Sequence, residues 1–146
     1  MSIWFEPISL DDLNKQGTRC ANAHVGIELI EVGADYLRGR MPVDDRTRQP
    51  AGVLHGGMSL VFAETLASWA AAHAVDPSRY HCVGQEINAN HVRAVSEGWV
   101  YGEARPLHLG RSSHVWEVRI TDERGKLVCV SRMTAAVLNR PSDYKH

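Results

Sequence analysis

The spacing of apolar and polar positions changes along the chain, and the change separates one helix from a set of strands. From Gly56 to Val75 the run GGMSLVFAETLASWAAAHAV carries a single formal charge, Glu64, and its Ala, Leu, Met and Glu content predicts a helix. It is apolar on almost every side, so it either lies buried at the centre of a fold or crosses a bilayer. The paired glycines, Ser59, Thr65, Ser68, His73 and Glu64 speak against lipid. The expectation is a buried central helix.

Elsewhere the pattern is that of strands. Residues 36–43, 81–92, 98–106, 112–121 and 126–138 are rich in Val, Ile, Trp, Tyr and Thr and are bounded by Gly, Pro, Asp and Ser. In the fourth, His114, Trp116, Val118 and Ile120 share one face, and Val115, Glu117, Arg119 and Thr121 share the other. Asp122-Glu123-Arg124-Gly125 predicts a hairpin turn between the last two strands. Near the start, SLDDLNKQG predicts a short helix with Ser9 as its cap and Asp12 at the third helical position. One long helix among five or so strands joined by short connections predicts an α+β fold, with an antiparallel sheet wrapped around the helix. No repeat or linker interrupts the pattern, so a single domain over 1–146 is expected, with the final PSDYKH tail frayed.

Composition narrows the partners. A chain of 146 residues with 44% apolar side chains can bury about two thirds of its unfolded surface in one core. Sixteen Lys plus Arg against seventeen Asp plus Glu leave a net charge of -1, which offers no field to collect nucleic acid or an anionic membrane. Cys20, Cys82 and Cys129 are odd in number and far apart, which fits a reducing, cytoplasmic setting better than a disulfide framework. The start, MSIWFEPISLDDLN, lacks the basic segment and apolar core of a secretory leader. Eight histidines show no ligand spacing, so no metal site is expected. The sequence contains no G-x-S-x-G, no P-loop, no G-x-G-x-x-G and no H-E-x-x-H.

The candidate chemistry gathers in residues 47–68, TRQPAGVLHGGMSLVFAETLAS. A polar loop with Gln49 runs through His55 into Gly56 and Gly57, where the first amides of a helix lack intrahelical partners and face the positive end of its dipole. Such amides suit a developing oxyanion. Glu64 is the second half of the signal. A carboxylate inside an apolar helix has to be paired, for example with Arg93, or protonated, or open to a wet cavity. Ser68, four residues on, shares its face. Gly56 and Glu64 stand about 12 Å apart along a straight helix, too far for one reacting carbonyl to meet both. The helix start and the carboxylate serving one site should therefore come from two chains, as in a twofold homodimer with two composite sites. Leu54, Val61, Phe62, Leu66 and Trp69 either line an apolar slot for an aromatic ring or belong to the core.

Taken together, PVDDRTRQPAGVLHGG before the helix with Glu64, GQEINANHVR at 84–93 and PLHLGRSSHVW at 106–116 resemble the hotdog-fold acyl-CoA thioesterases, over roughly residues 20–138. Within that family the pattern is most similar to the 1,4-dihydroxy-2-naphthoyl-CoA hydrolase and enterobactin proofreading branch. The resemblance implies an acyl-CoA substrate, no cofactor, and a homodimer with interface sites, usually doubled into a homotetramer. It implies that Glu64 acts as nucleophile or general base and that the Gly56 amide polarises the thioester oxygen. His55 and Gln49 would position the carbonyl and the attacking group, and Ser68 would hold the water or acyl group. His91, Arg93, Arg111 and Ser112 match positions near the nucleotide and pantetheine of CoA, and Gly84 belongs with them as a substrate-binding position. Arg93 and Arg111 are the side chains that could meet phosphate oxygens, although the family pattern reads Ser-Arg-His after PLHLG where this chain has Arg111-Ser112-Ser113. Two other readings are an acyl-CoA binding module without turnover and an enoyl-CoA hydratase. The first is disfavoured because Gln49, His55, Gly56 and Glu64 occur together. The second wants an Asp paired with a His at the helix start, and no Asp lies between Asp45 and Asp76.

Overall fold

The computed structural model describes residues 1–141. The fraying expected of the tail falls on residues 142–146, outside the described residues. Six strands, β1 Glu28–Val32, β2 Leu37–Pro42, β3 Tyr80–His91, β4 Trp99–Leu109, β5 Ser113–Thr121 and β6 Leu127–Asn139, form one sheet in the order β1-β2-β4-β5-β6-β3. Every pairing is antiparallel. The helices are α1 Leu10–Gln16, α2 Ala21–Val25 and α3 Gly56–His73, giving the α+β plan expected from the pattern.

Local chemistry explains the elements. The Ser9 hydroxyl accepts from the Asp12 amide at 3.3 Å and caps α1 as expected. The alternation in β5 sends His114, Trp116, Val118 and Ile120 into the core. Three elements depart from the sequence expectation, among them α2, which the pattern does not mark. β1 was not foreseen, because Glu28 and Glu31 make ELIEV look loop-like. They form ion pairs with Arg40 and Arg38 of β2 at 2.7 and 2.8 Å, a cross-strand ladder on the solvent face. In addition, β3 does not lie beside β4. The chain crosses the sheet after β3, so β3 sits at the edge next to β6, and short connections join only β1 to β2 and β4 through β6.

The sheet covers one face of α3, burying Ser59, Phe62, Ala63, Leu66, Ala67, Ala70 and Ala71 at helical spacing. The opposite face, with Val61, Glu64, Thr65, Ser68 and Trp69, is only half-buried within one chain, so the helix is not enclosed on all sides. The N-terminal segment straps the far end of α3. Trp4 stacks on Trp116 with centroids 6.4 Å apart, and the Phe5 amide donates to the His73 carbonyl at 2.9 Å. Among the described residues no helix is long and apolar enough to cross a membrane.

The two edges of the sheet differ. β1 is short and bulged between Leu29 and Glu31, and the Asn14 side chain both donates to the Leu29 carbonyl and accepts from its amide at 2.9 Å. That rim is closed. β3 runs for 12 residues with no such plug among the described residues, and Val83 and Val92 on or beside it are 43% and 56% exposed. An uncovered edge of this length is a template for a further strand.

Candidate active site

The loop before α3 is held by backbone and side-chain bonds. Thr47, fully buried, donates its hydroxyl to the Pro42 carbonyl at 2.7 Å, and the His55 amide donates to the Thr47 carbonyl at 2.8 Å. Gln49 Oε1 accepts from the Ala51 amide at 2.7 Å, which leaves its amide nitrogen without a partner among the described residues. His55 is the N-cap of α3, its Nδ1 accepting from the Gly57 amide at 2.8 Å. Because a backbone amide can only donate, the neutral imidazole carries its proton on the exposed Nε2.

Gly56 opens the helix, and a Cβ placed there would stand 2.9 Å from Nε2 of His91, at the end of β3. Gly84, earlier in β3, is the counterpart for Glu64: a Cβ at 84 would overlap Oε1 of the carboxylate. Neither glycine has a positive φ, so both are positions of close approach rather than of unusual backbone.

Glu64 is half-buried and forms no ion pair or hydrogen bond among the described residues. The partner considered from sequence, Arg93, lies elsewhere, its Nε donating to the Leu127 carbonyl at 3.3 Å. The carboxylate instead opens into a cleft of about 480 Å³ lined by Asn22, Val61, Thr65, Ser68 and Trp69. Ser68 thus shares the cleft with Glu64 as its spacing predicted. Of the five apolar residues proposed as a slot, Val61 and Trp69 line it, while Leu54, Phe62 and Leu66 belong to the core. Thr65 and Asn22 were missed. The Thr65 hydroxyl donates to the Val61 carbonyl at 2.7 Å and stands 3.4 Å from Asn22 Oδ1. Thr65 was legible as a second polar residue beside Glu64, whereas Asn22 carried no signal because α2 was not foreseen. Among the described residues no group of three His, Cys, Asp or Glu side chains could hold a metal ion.

Residues 51–129 match the family model described as the thioesterase superfamily. The chain belongs to the thioesterase superfamily. This thioesterase is 46% identical to a 1,4-dihydroxy-2-naphthoyl-CoA hydrolase of Escherichia coli K12, over 93% of its own length and 99% of the relative's. It is also 46% identical to the proofreading thioesterase EntH of Cronobacter turicensis, over 93% and 98% of the two chains. The crystal structure of a mutant thioesterase from Pseudomonas aeruginosa superposes with a TM-score of 0.94 at 42% identity, covering 95% of this chain and 100% of that one. The architecture is therefore the hotdog fold, and the protein is a thioester hydrolase.

In this thioesterase the five residues matched to CoA fall into two groups. Arg111 and Ser112 form the exposed turn between β4 and β5, where the Ser112 carbonyl accepts from the Val137 amide at 3.0 Å. Ala136, the neighbour of Val137 on β6, pairs with Val83, so Gly84 lies at the same end of the sheet. His91 and Arg93 lie at the other end, beyond Cys129 and Val128 of β6. One chain does not bring the two groups together.

Proposed function

We propose that this thioesterase hydrolyses aromatic acyl-CoA of the benzoyl or 1,4-dihydroxy-2-naphthoyl kind to free acid and CoA, at two composite sites of a homodimer. The observation that carries the reading is the Glu64 carboxylate, unpaired among the described residues and opening into a cleft walled by Trp69 and Val61. An indole and a branched aliphatic side chain offer a flat acyl ring an apolar wall. The naphthoyl-CoA hydrolase among the relatives supports the same substrate class.

The second copy comes through the open edge. In β3 the side chains of Cys82, Ile87 and Ala89 pack toward the core, and the register slips at Gly84/Glu86, leaving Gln85 as the extra residue. Antiparallel pairing of β3 with itself about a twofold at Asn88 keeps faces matched, setting Ile87 opposite the partner's Ala89. Gly84 and Gln85 then oppose the partner's His91. Because Glu64 covers Gly84 and His91 abuts Gly56, this register carries each carboxylate toward the partner's Gly56. It also carries the partner's Arg93 to the end of the sheet where Arg111 and Ser112 turn, joining the two CoA groups. Two such dimers make up the homotetramer that the family resemblance implies. Three free thiols suit a cytoplasmic enzyme.

In the site, the Gly56 amide polarises the thioester oxygen at the positive end of α3, while Gln49 and the exposed Nε2 of His55 position the carbonyl and the attacking group. Glu64 follows one of two routes. It attacks the carbonyl carbon, expelling CoA thiolate and forming a mixed anhydride that water opens, or it takes a proton from a water held by Ser68 as that water attacks. Both consume one water per thioester. Thiol release from benzoyl-CoA tests the reading: the native protein turns over and Glu64→Gln falls at least about a hundredfold. An undiminished Glu64→Gln enzyme would remove Glu64 from the mechanism.

A further inference from the structure

The resemblance groups His91 with the CoA contacts, yet its ring is placed at the start of α3. His91 ends β3, and Nε2 is the ring atom nearest a Cβ at Gly56, at 2.9 Å against 3.2 Å for Cε1 and 3.3 Å for Cδ2. The imidazole therefore meets the first residue of the helix tip-first, in the space that Gly56 leaves by lacking a side chain. The ring is exposed and has no hydrogen-bond partner among the described residues, so neither nitrogen is committed elsewhere and the tautomer protonated at Nε2 is free to donate there. The other imidazole at this point differs, because His55 has one nitrogen committed to the Gly57 amide.

We infer that His91 is a catalytic residue whose Nε2–H donates to the thioester carbonyl oxygen beside the Gly56 amide, giving the oxyanion a second donor. Charge developing on that oxygen is held best by two preorganised donors in a water-poor site. His91 keeps its proton throughout, and the tetrahedral oxygen returns its charge when CoA thiolate leaves. The inference rests on the proposed role of Gly56, and it moves His91 from the nucleotide to the reacting carbon.

A truncated substrate separates the two positions. Benzoyl-N-acetylcysteamine keeps the thioester and lacks the nucleotide and pantothenate of CoA. His91→Phe, which fills the same space without a donor, should lower kcat about a hundredfold on both benzoyl-CoA and the truncated thioester, with KM for benzoyl-CoA changed less than about threefold. His91→Gln, which keeps an N–H donor, should recover part of the loss on both substrates. A rise in KM confined to benzoyl-CoA, with normal turnover of the truncated thioester, would return His91 to the nucleotide and overturn the inference. Glu64→Gln assayed alongside distinguishes the failures: if it too keeps full activity, the site itself is misplaced, whereas loss in Glu64→Gln with an unaffected His91→Phe overturns only the role of His91.

Discussion

The Glu64 carboxylate lies directly over Gly84, with no room between them for a methyl group. The missing side chain at Gly84 of β3 thus makes the room that the acid on α3 occupies. Gly84→Ala should push the carboxylate out of place and lower kcat at least about tenfold, because a shift of about 1 Å in a reacting group is costly. Alanine is the better strand residue by about 0.5–1 kcal/mol, so the melting temperature should hold or rise. Full activity in Gly84→Ala would show that Glu64 does not need this seat.

The bond from the Gly57 amide to His55 Nδ1 makes His55 a structural cap as well as a site residue. His55→Ala should lose about 1 kcal/mol of stability, measured by urea unfolding, and His55→Asn should retain most of it. Both variants should be slow in thiol release, since neither carries the outward Nε2. Equal stability in the native, Ala and Asn forms would mean that the cap contributes nothing.

His114 supplies a pH dependence. Its ring is buried, with Nδ1 lacking a hydrogen-bond partner among the described residues. Burial, aided by His108, holds its pKa below the ordinary value of 6.5. Between the two values the unfolded chain binds the proton and the folded chain does not, so stability is fully present above pH 6.5 and falls as the pH drops toward the folded value. The slope is at most about 1.4 kcal/mol per pH unit for one proton. Asp44, Asp76 and Asp122, whose values are lowered first by side-chain bonds to Arg46 and Ser78 and by the Lys126 amide, lose their contribution in a more acidic window. Urea melts from pH 7.5 to 5 should slope for the native protein and flatten in His114→Gln. Equal slopes in the two would assign the effect elsewhere.

Periodicity made α3, β5 and β6 legible, because their burial follows from positions within one element. A lone charge in an apolar helix marked Glu64 for the same reason. Pairing order is different: β3 lies beside β6 through contacts distant in sequence, and no local pattern encodes that choice. β1 hid because its glutamates find arginines on β2 only after folding. The placement of His91 against Gly56 depends on the crossing of α3 and β3, so sequence offered only the family position.

In the proposed homodimer Glu64 and Gly56 serve one site from two chains. Glu64→Gln and Gly56→Val, each inactive alone, can be co-expressed in equal amounts with different tags and assayed for benzoyl-CoA hydrolysis. Random pairing makes half the dimers mixed, each with one intact composite site, so activity should return to about a quarter of native. If both residues served a site within one chain, every site in the mixture would carry a defect, and the absence of any recovered activity in isolated mixed dimers would contradict the account.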